Sequence, residues 1–175
     1  SVKQPCSLNR LSNLIKATGT PCSPSTVMEY VRYLQESCLL ISIDNYVSKF
    51  VEKETIKKHY FVDNGLLHLF INNPNTSLLE NLCAITLYKK YAKGLYYYNR
   101  NIEVDFYVPD EGIAVQASYQ MSDGETIERE VKALVALHGL HSLKRAMIIT
   151  YEDEGEFVRD GLRIEIKPAW KWVLC

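Results

Sequence analysis

Apolar residues recur at three- and four-residue intervals near the start of the chain, then give way to alternation. Leu8, Leu11, Leu14 and Ile15 fall on one face, which predicts a helix over 7–17 with Ser7 as its N-cap. The stretch Thr18-Gly19-Thr20-Pro21-Cys22 breaks it. A second helix opens at Ser23, with Pro24 at the first helical position, where a missing N–H costs nothing. Its apolar positions are Val27, Tyr30, Val31 and Leu34, and Ser37 ends it. Two β-like segments follow, Leu39 to Val47 and Tyr60 to Val62, separated by a stretch bearing Lys49, Lys53, Lys57 and Lys58. Helix, turn, helix and a two-stranded ribbon describe a winged helix-turn-helix over 1–72. The turn formers Asn72-Asn73-Pro74-Asn75-Thr76 then mark a boundary.

Beyond it, 77–175 reads as a second unit. A helix over Leu78 to Tyr91 precedes three strands: Tyr96 to Arg100, Glu103 to Val108, and Ile113 to Tyr119, with Pro109-Asp110-Glu111-Gly112 as a turn. An amphipathic helix runs from Glu125 to Leu140. Arg145 to Thr150 is an apolar run of the kind found in central strands, Glu152 to Glu156 an acidic loop, and Leu162 to Ile166 a last strand. Three strands, a crossover helix and a buried strand make this half α/β or α+β.

Composition narrows the function without naming it. The chain has 175 residues, 47% hydrophobic and 23% charged, which excludes collagen-like and wholly disordered readings. No apolar run approaches the ~18–20 residues of a membrane span, and no secretory leader pattern opens the chain. Ser1 in place of Met suggests a fragment of something longer. Five cysteines without a C-x-x-C pair, and four scattered histidines, argue for free thiols in a reducing cytoplasm and against zinc.

Net charge is −1, with 8 Lys/Arg against 6 Asp/Glu in 1–76 and 12 against 15 in 77–175. Neither half is basic enough to announce nucleic-acid binding. The second helix would expose Arg32 beside Glu29 and Glu36, a poor phosphate-contacting surface. If the first unit binds DNA, Arg32, Lys49, Lys53, Lys57 and Lys58 are the contacts, although Glu52 and Glu54 interrupt them. Their commoner fate is a solvated charged loop. Only two of the three residues of Tyr96-Tyr97-Tyr98 can share a strand face, so core packing is expected over base stacking. Trp170 and Trp172 form a closing segment.

Candidate chemistry gathers on two neighbouring strands. Glu103 and Asp105 project to one side of the second strand, and Gln116 and Ser118 to one side of the third, with Glu80 on the preceding helix. The ordinary alternative is an antiparallel sheet leaving its polar face in water.

These residues also carry a resemblance. Leu79-Glu80-Asn81, Tyr97-Tyr98-Asn99-Arg100, Glu103-Val104-Asp105-Phe106 and Val115-Gln116-Ala117-Ser118 resemble the C-terminal region of a bacterial and archaeal family of P-loop ATPases of the AAA superfamily. Ser25-Thr26-Val27 with Tyr30-Val31-Arg32-Tyr33-Leu34 resembles that family's winged helix, and Lys58-His59-Tyr60-Phe61-Val62-Asp63-Asn64-Gly65-Leu66 its K-x-Y-F-x-D-x-G-L segment. The resemblance implies a restriction-endonuclease-like PD-(D/E)xK fold for the second half. It also implies an N-terminal ATPase domain, outside this chain, as the holder of ATP and an intramolecular partner. The chain has no P-loop glycine-lysine motif of its own.

Mapped onto that fold, Glu80 is the helix acid, Asp105 the strand acid and Gln116 the third ligand of a Mg²⁺ ion, while Ser118 stands where a lysine belongs. An amide oxygen can ligate Mg²⁺. A hydroxyl cannot supply fixed positive charge to a phosphoryl transition state, a loss of ~10²–10³ in rate. Lys132, on the following helix, is the nearest lysine in sequence. The resulting expectation is a non-catalytic recognition or regulatory region with a degenerate nuclease-like site, in contact with DNA or a protein. A Mg²⁺-dependent nuclease and a DNA-binding module acting through the winged helix are the alternatives.

Overall fold

Ser7 and Ser23 begin helices as their positions predict. In the computed structural model, which describes residues 4–49, 52, 55–121 and 124–174, Ser7 Oγ accepts the Arg10 N–H and opens α1 (Leu8–Ala17). Ser23 Oγ accepts the Thr26 N–H and opens α2 (Pro24–Glu36). Each bond satisfies a helix N–H that has no partner within the helix. The remaining elements are β1 (Cys6–Ser7), β2 (Leu40–Asn45), β3 (Ile56–Phe61), α3 (Asn64–His68), α4 (Asn75–Tyr91), β4 (Tyr96–Asn99), β5 (Glu103–Val108), β6 (Ile113–Ala117), α5 (Gly124–His141), β7 (Arg145–Thr150), β8 (Gly155–Arg159), β9 (Leu162–Pro168) and α6 (Ala169–Val173).

The strands form one mixed, mostly antiparallel sheet in the order β1-β3-β2-β4-β5-β6-β7-β9-β8. The β6–α5–β7 connection joins parallel neighbours, in register from Ile113↔Arg145 to Ala117↔Ile149, so α5 is the crossover that such a pair needs. Gly112, at φ +63°, closes the β5–β6 turn, and its carbonyl accepts the N–H of Lys144 at 2.8 Å, joining that turn to the start of β7. A Cβ there would meet the Lys144 backbone nitrogen at 3.2 Å. Helix α4 covers one face over Tyr60, Phe106, Val115 and Met147; α5 covers the other over Val104, Tyr107, Ile148 and Ile164. Among the described residues, no helix is long and apolar enough to cross a membrane.

The β2–β3 ribbon belongs to this same sheet. Ile41, Ile43 and Tyr60 lie in one core with Leu79, Cys83 and Leu87 of α4, and the end of β2 pairs with β4 at Asp44↔Tyr96 and Asn45↔Tyr97. Strand β3 begins at Ile56, earlier than the expected Tyr60, which moves Lys57 and Lys58 from a loop into the ladder. The acidic stretch also gives way to β8, whose two apolar residues Phe157 and Val158 are adjacent and so give no alternation to signal it. Tyr97 and Tyr98 are core residues, as expected.

Three side-chain amides act as surrogate strand partners. Asn45 accepts the Asn99 N–H and donates to the Asn99 carbonyl, at 3.0 and 2.7 Å, which reinforces the short β2–β4 pairing. Asn81, fully buried on α4, does the same for Phe61 at 2.8 and 2.9 Å and also donates to Asn64 Oδ1. Gln116 is the third. Asn81→Ala strands both backbone groups of Phe61, so urea unfolding should show a loss of about 3 kcal/mol, from the ~1–3 kcal/mol cost of each unsatisfied buried group.

His59 sits opposite Ser42, with Nδ1 and the hydroxyl 2.7 Å apart. Burial, and then the positive charge of Lys57, hold its pKa at about 4 instead of 6.5. The unfolded chain therefore binds a proton between those values that the native one refuses, and stability falls as pH drops from 6.5 towards 4. A His59→Gln variant should flatten that slope, by roughly 2–3 kcal/mol across the window, below the limit set by about 2.5 pH units at 1.36 kcal/mol per unit. Urea midpoints measured at pH 7 and pH 4.5 read it directly.

Candidate functional site: a lysine-centred carboxylate cluster

Strand β3 directs Lys58 to the same side as Tyr60, into the protein, since residues two apart share a face. Lys58 is 0% exposed. Its Nζ lies 3.1 Å from Asp105 Oδ1, 3.2 Å from Glu103 Oε1 and 3.6 Å from Glu80 Oε1, and 5.6 Å from the centre of the Tyr97 ring. One ammonium thus gathers the three acids that the sequence offered from α4 and β5. A buried charge is tolerated only when paired in this way.

Two of the acids have a further partner. Glu80, buried on α4, accepts the Tyr60 hydroxyl at 2.9 Å. Asp105 Oδ2 accepts the Ala117 N–H at 3.1 Å. The β5–β6 ladder runs only from Val108↔Ile113 to Phe106↔Val115, and beyond that point side chains take over. Gln116 Oε1 accepts the Asp105 N–H at 2.8 Å while its Nε2 donates to the Glu103 carbonyl at 3.0 Å. Gln116 therefore serves as a piece of backbone. The amide oxygen expected as a metal ligand is here turned to the β5 backbone. Ser118, also buried, donates its hydroxyl to the Gln120 carbonyl at 3.2 Å and takes no part in the cluster.

The electrostatics follow from this geometry. Burial works to lower the Lys58 pKa, but attraction from Asp105, Glu80 and Glu103 and the hydrogen bond to Asp105 outweigh it and lift the pKa above its ordinary value. Lys58 is therefore a fixed cation. Burial, and then the charges of Asp105 and Glu80, push the Cys83 thiol well up, which keeps it protonated and unreactive. A polar cleft of about 640 Å³ opens over Glu103, Asp105 and Gln116, with Arg129, Glu130 and Lys132 of α5 on its opposite wall. Glu130 is raised above the usual carboxylate range by burial, against its ion pair with Arg129, and by the nearby charges of Asp105 and Glu103. Lys132 reaches the cleft wall but not the carboxylates; Lys58 does that from another strand.

The expected nucleic-acid contacts divide. Lys58 is withdrawn from that surface by its burial, a correction that follows from its place in β3. Lys57 pairs with Asp44 at 3.0 Å, and Arg32 with Glu36 at 3.6 Å. The Lys49 N–H donates to Glu52, and Lys53 lies outside the described residues.

The expected Mg²⁺ set of Glu80, Asp105 and Gln116 does not fit an ion in this arrangement. An ammonium already sits among the acids, and Gln116 is turned to the backbone. Among the described residues, no group of three or more His, Cys, Asp or Glu is placed to hold a metal.

Comparisons with known proteins are sparse. The chain matches no protein-family profile and no solved structure. It is 30% identical over 183 residues to an uncharacterized protein of the archaeon Methanocaldococcus jannaschii, across 96% of this chain. The match spans 40% of that relative, so the chain corresponds to about two fifths of the archaeal protein.

Proposed function

We propose that this chain is a non-catalytic recognition or regulatory region of a longer prokaryotic ATPase of the AAA type, built on a restriction-endonuclease-like core whose catalytic centre has become a structural one. The observation that carries the reading is Lys58 Nζ, held within 3.6 Å of Glu80, Glu103 and Asp105. The succession α4, β4, β5, β6, α5, β7 supports the nuclease-like core, because it presents an acid on the first helix and another on the second strand, as the resemblance implies. The archaeal relative's greater length supports placing ATP binding outside this chain. With every cluster member already paired, the cleft offers a recognition surface in place of a reacting group. Titration with Mg²⁺ or Mn²⁺ by calorimetry tests this: no saturable heat at millimolar cation is expected, and a saturable site lost in Asp105→Asn would refute it.

One observation favours a second reading, a nuclease with an atypical site. Lys58 brings to Asp105 the fixed positive charge that Ser118 cannot. That reading requires divalent-dependent cleavage of a nucleic acid that is lost in Asp105→Asn.

A further inference from the structure

The two N-terminal helices stand apart from both cores: among the described residues, none from α1 or α2 belongs to either core cluster. Periodicity puts Leu8, Leu11, Leu14 and Ile15 on one stripe of α1, and Val27, Tyr30, Val31 and Leu34 on one stripe of α2. Of these, Val27 is buried, Leu8, Leu11, Ile15 and Val31 are half-buried, and Leu14, Tyr30 and Leu34 are exposed. Leu14 is 54% and Tyr30 55% exposed, with Met28 beside them at 50%. Amphipathic helices draw most of their stability from burying an apolar face, and single exposed residues would be unremarkable where Leu14, Met28, Tyr30, Tyr33 and Leu34 together on two adjacent helices are not.

The same surface contains a small pocket. Leu8, Met28 and Val31 enclose about 120 Å³ against Arg32 and Gln35 of α2, Thr55, and Lys57 and His59 of β3. Ligand sites run to ~300–1,000 Å³, so this one suits a single inserted side chain. Charge narrows the partner further. The two helices carry Arg10, Lys16 and Arg32 against Glu29 and Glu36. Phosphate backbones are bound by clustered cations, and anionic membranes by about 4–8 of them together. A nearly neutral pair of helices with exposed apolar residues, and a one-side-chain pocket whose rim is polar, has the apolar centre and polar surround of a protein-docking surface.

The chain's relative indicates which protein. Three fifths of the archaeal polypeptide lies outside the match, covalently attached to the matched region and so present at high effective concentration. We infer that the α1–α2 face docks the remaining part of the longer polypeptide, which sends an aliphatic or aromatic side chain into the pocket beside Val31. The inference rests on the proposed function only for the identity of that part as an ATPase; the contact itself does not depend on the cluster at Lys58.

The test compares hydrogen exchange in the full-length archaeal relative and in its matched region alone, over the counterparts of α1 and α2. Docking predicts exchange at least tenfold slower in the full-length protein, with the matched region monomeric by light scattering. Equal exchange in the two would overturn the proposal. So would self-association of the isolated region, which would assign the face to a second copy. In this chain, Leu14→Glu with Leu34→Glu should leave the melting temperature unchanged, and a marked drop would show the stripe to be core. Nucleic-acid cleavage by the full-length relative would refute the non-catalytic reading and leave the docking result standing, so the two failures are distinguishable.

Discussion

Replacing Lys58 with methionine is expected to destabilise the protein by about 3–5 kcal/mol, the usual cost of removing one partner from a buried ion cluster. Methionine fills similar volume, so the loss is electrostatic: Glu80, Glu103 and Asp105 are left facing one another around an apolar side chain. The deficit should shrink towards pH 4, where carboxylates take up protons. Adding Asp105→Asn to the variant should recover part of the loss, since the remaining acids then repel one another less. In the unaltered protein the linkage runs the other way at high pH. Because the folded Lys58 pKa is raised, its contribution is complete below its ordinary pKa near 10.5 and is lost only as pH climbs through the higher folded value. Urea unfolding at pH 7 and pH 4.5, for the single and double variants, measures the loss, its shrinkage in acid and the partial recovery. A Lys58→Met loss below about 1 kcal/mol would show the cluster to be no stronger than an exposed ion pair.

Gln116→Glu is the second large effect, and it separates two accounts of the site. By analogy with metal-dependent nucleases, the change restores an acidic ligand and should create or strengthen cation binding. By the geometry here it does the opposite. Gln116 is 3% exposed, and its Nε2 donates to the Glu103 carbonyl. A carboxylate cannot donate that bond, and it adds a fourth negative charge beside Asp105 and Glu103. The expected cost is about 3–4 kcal/mol, summing a broken buried hydrogen bond and an unpaired charge. Calorimetry with Mn²⁺ should show no new site. A stable Gln116→Glu protein that binds Mn²⁺ would mean that the amide's backbone bonds are incidental.

Why the acids were legible and their cation was not can be traced to single residues. The acids announced themselves because Glu103 and Asp105 interrupt an otherwise apolar strand at a spacing of two. The boundaries of β5 and β7 were equally plain, since alternation and a continuous apolar run are strong signals. Lys58 was hidden by its own chemistry. In Ile56-Lys57-Lys58-His59-Tyr60 the inward positions are 56, 58 and 60, and a lysine in the middle erases the alternation that marks a strand. The segment therefore reads as a charged loop, and its lysines as surface contacts. Lys58 and Asp105 are 47 positions apart, and nothing local predicts their contact. The helices α1 and α2 show the converse. Their caps and bounds were readable from Ser7, Ser23 and Pro24, but periodicity alone also implied buried stripes, and burial depends on what lies opposite.

The central claim is that this cluster holds the fold together and performs no hydrolysis. Its most direct test is cleavage of single-stranded, duplex and branched DNA and RNA with Mg²⁺ or Mn²⁺, using the unaltered protein beside Asp105→Asn and Lys58→Met variants verified as folded by circular dichroism. The account predicts no cutting by any of the three, even at protein concentrations high enough to expose a trace contaminant. Divalent-dependent cutting by the unaltered protein that disappears in both folded variants would contradict it and make Lys58 a catalytic residue.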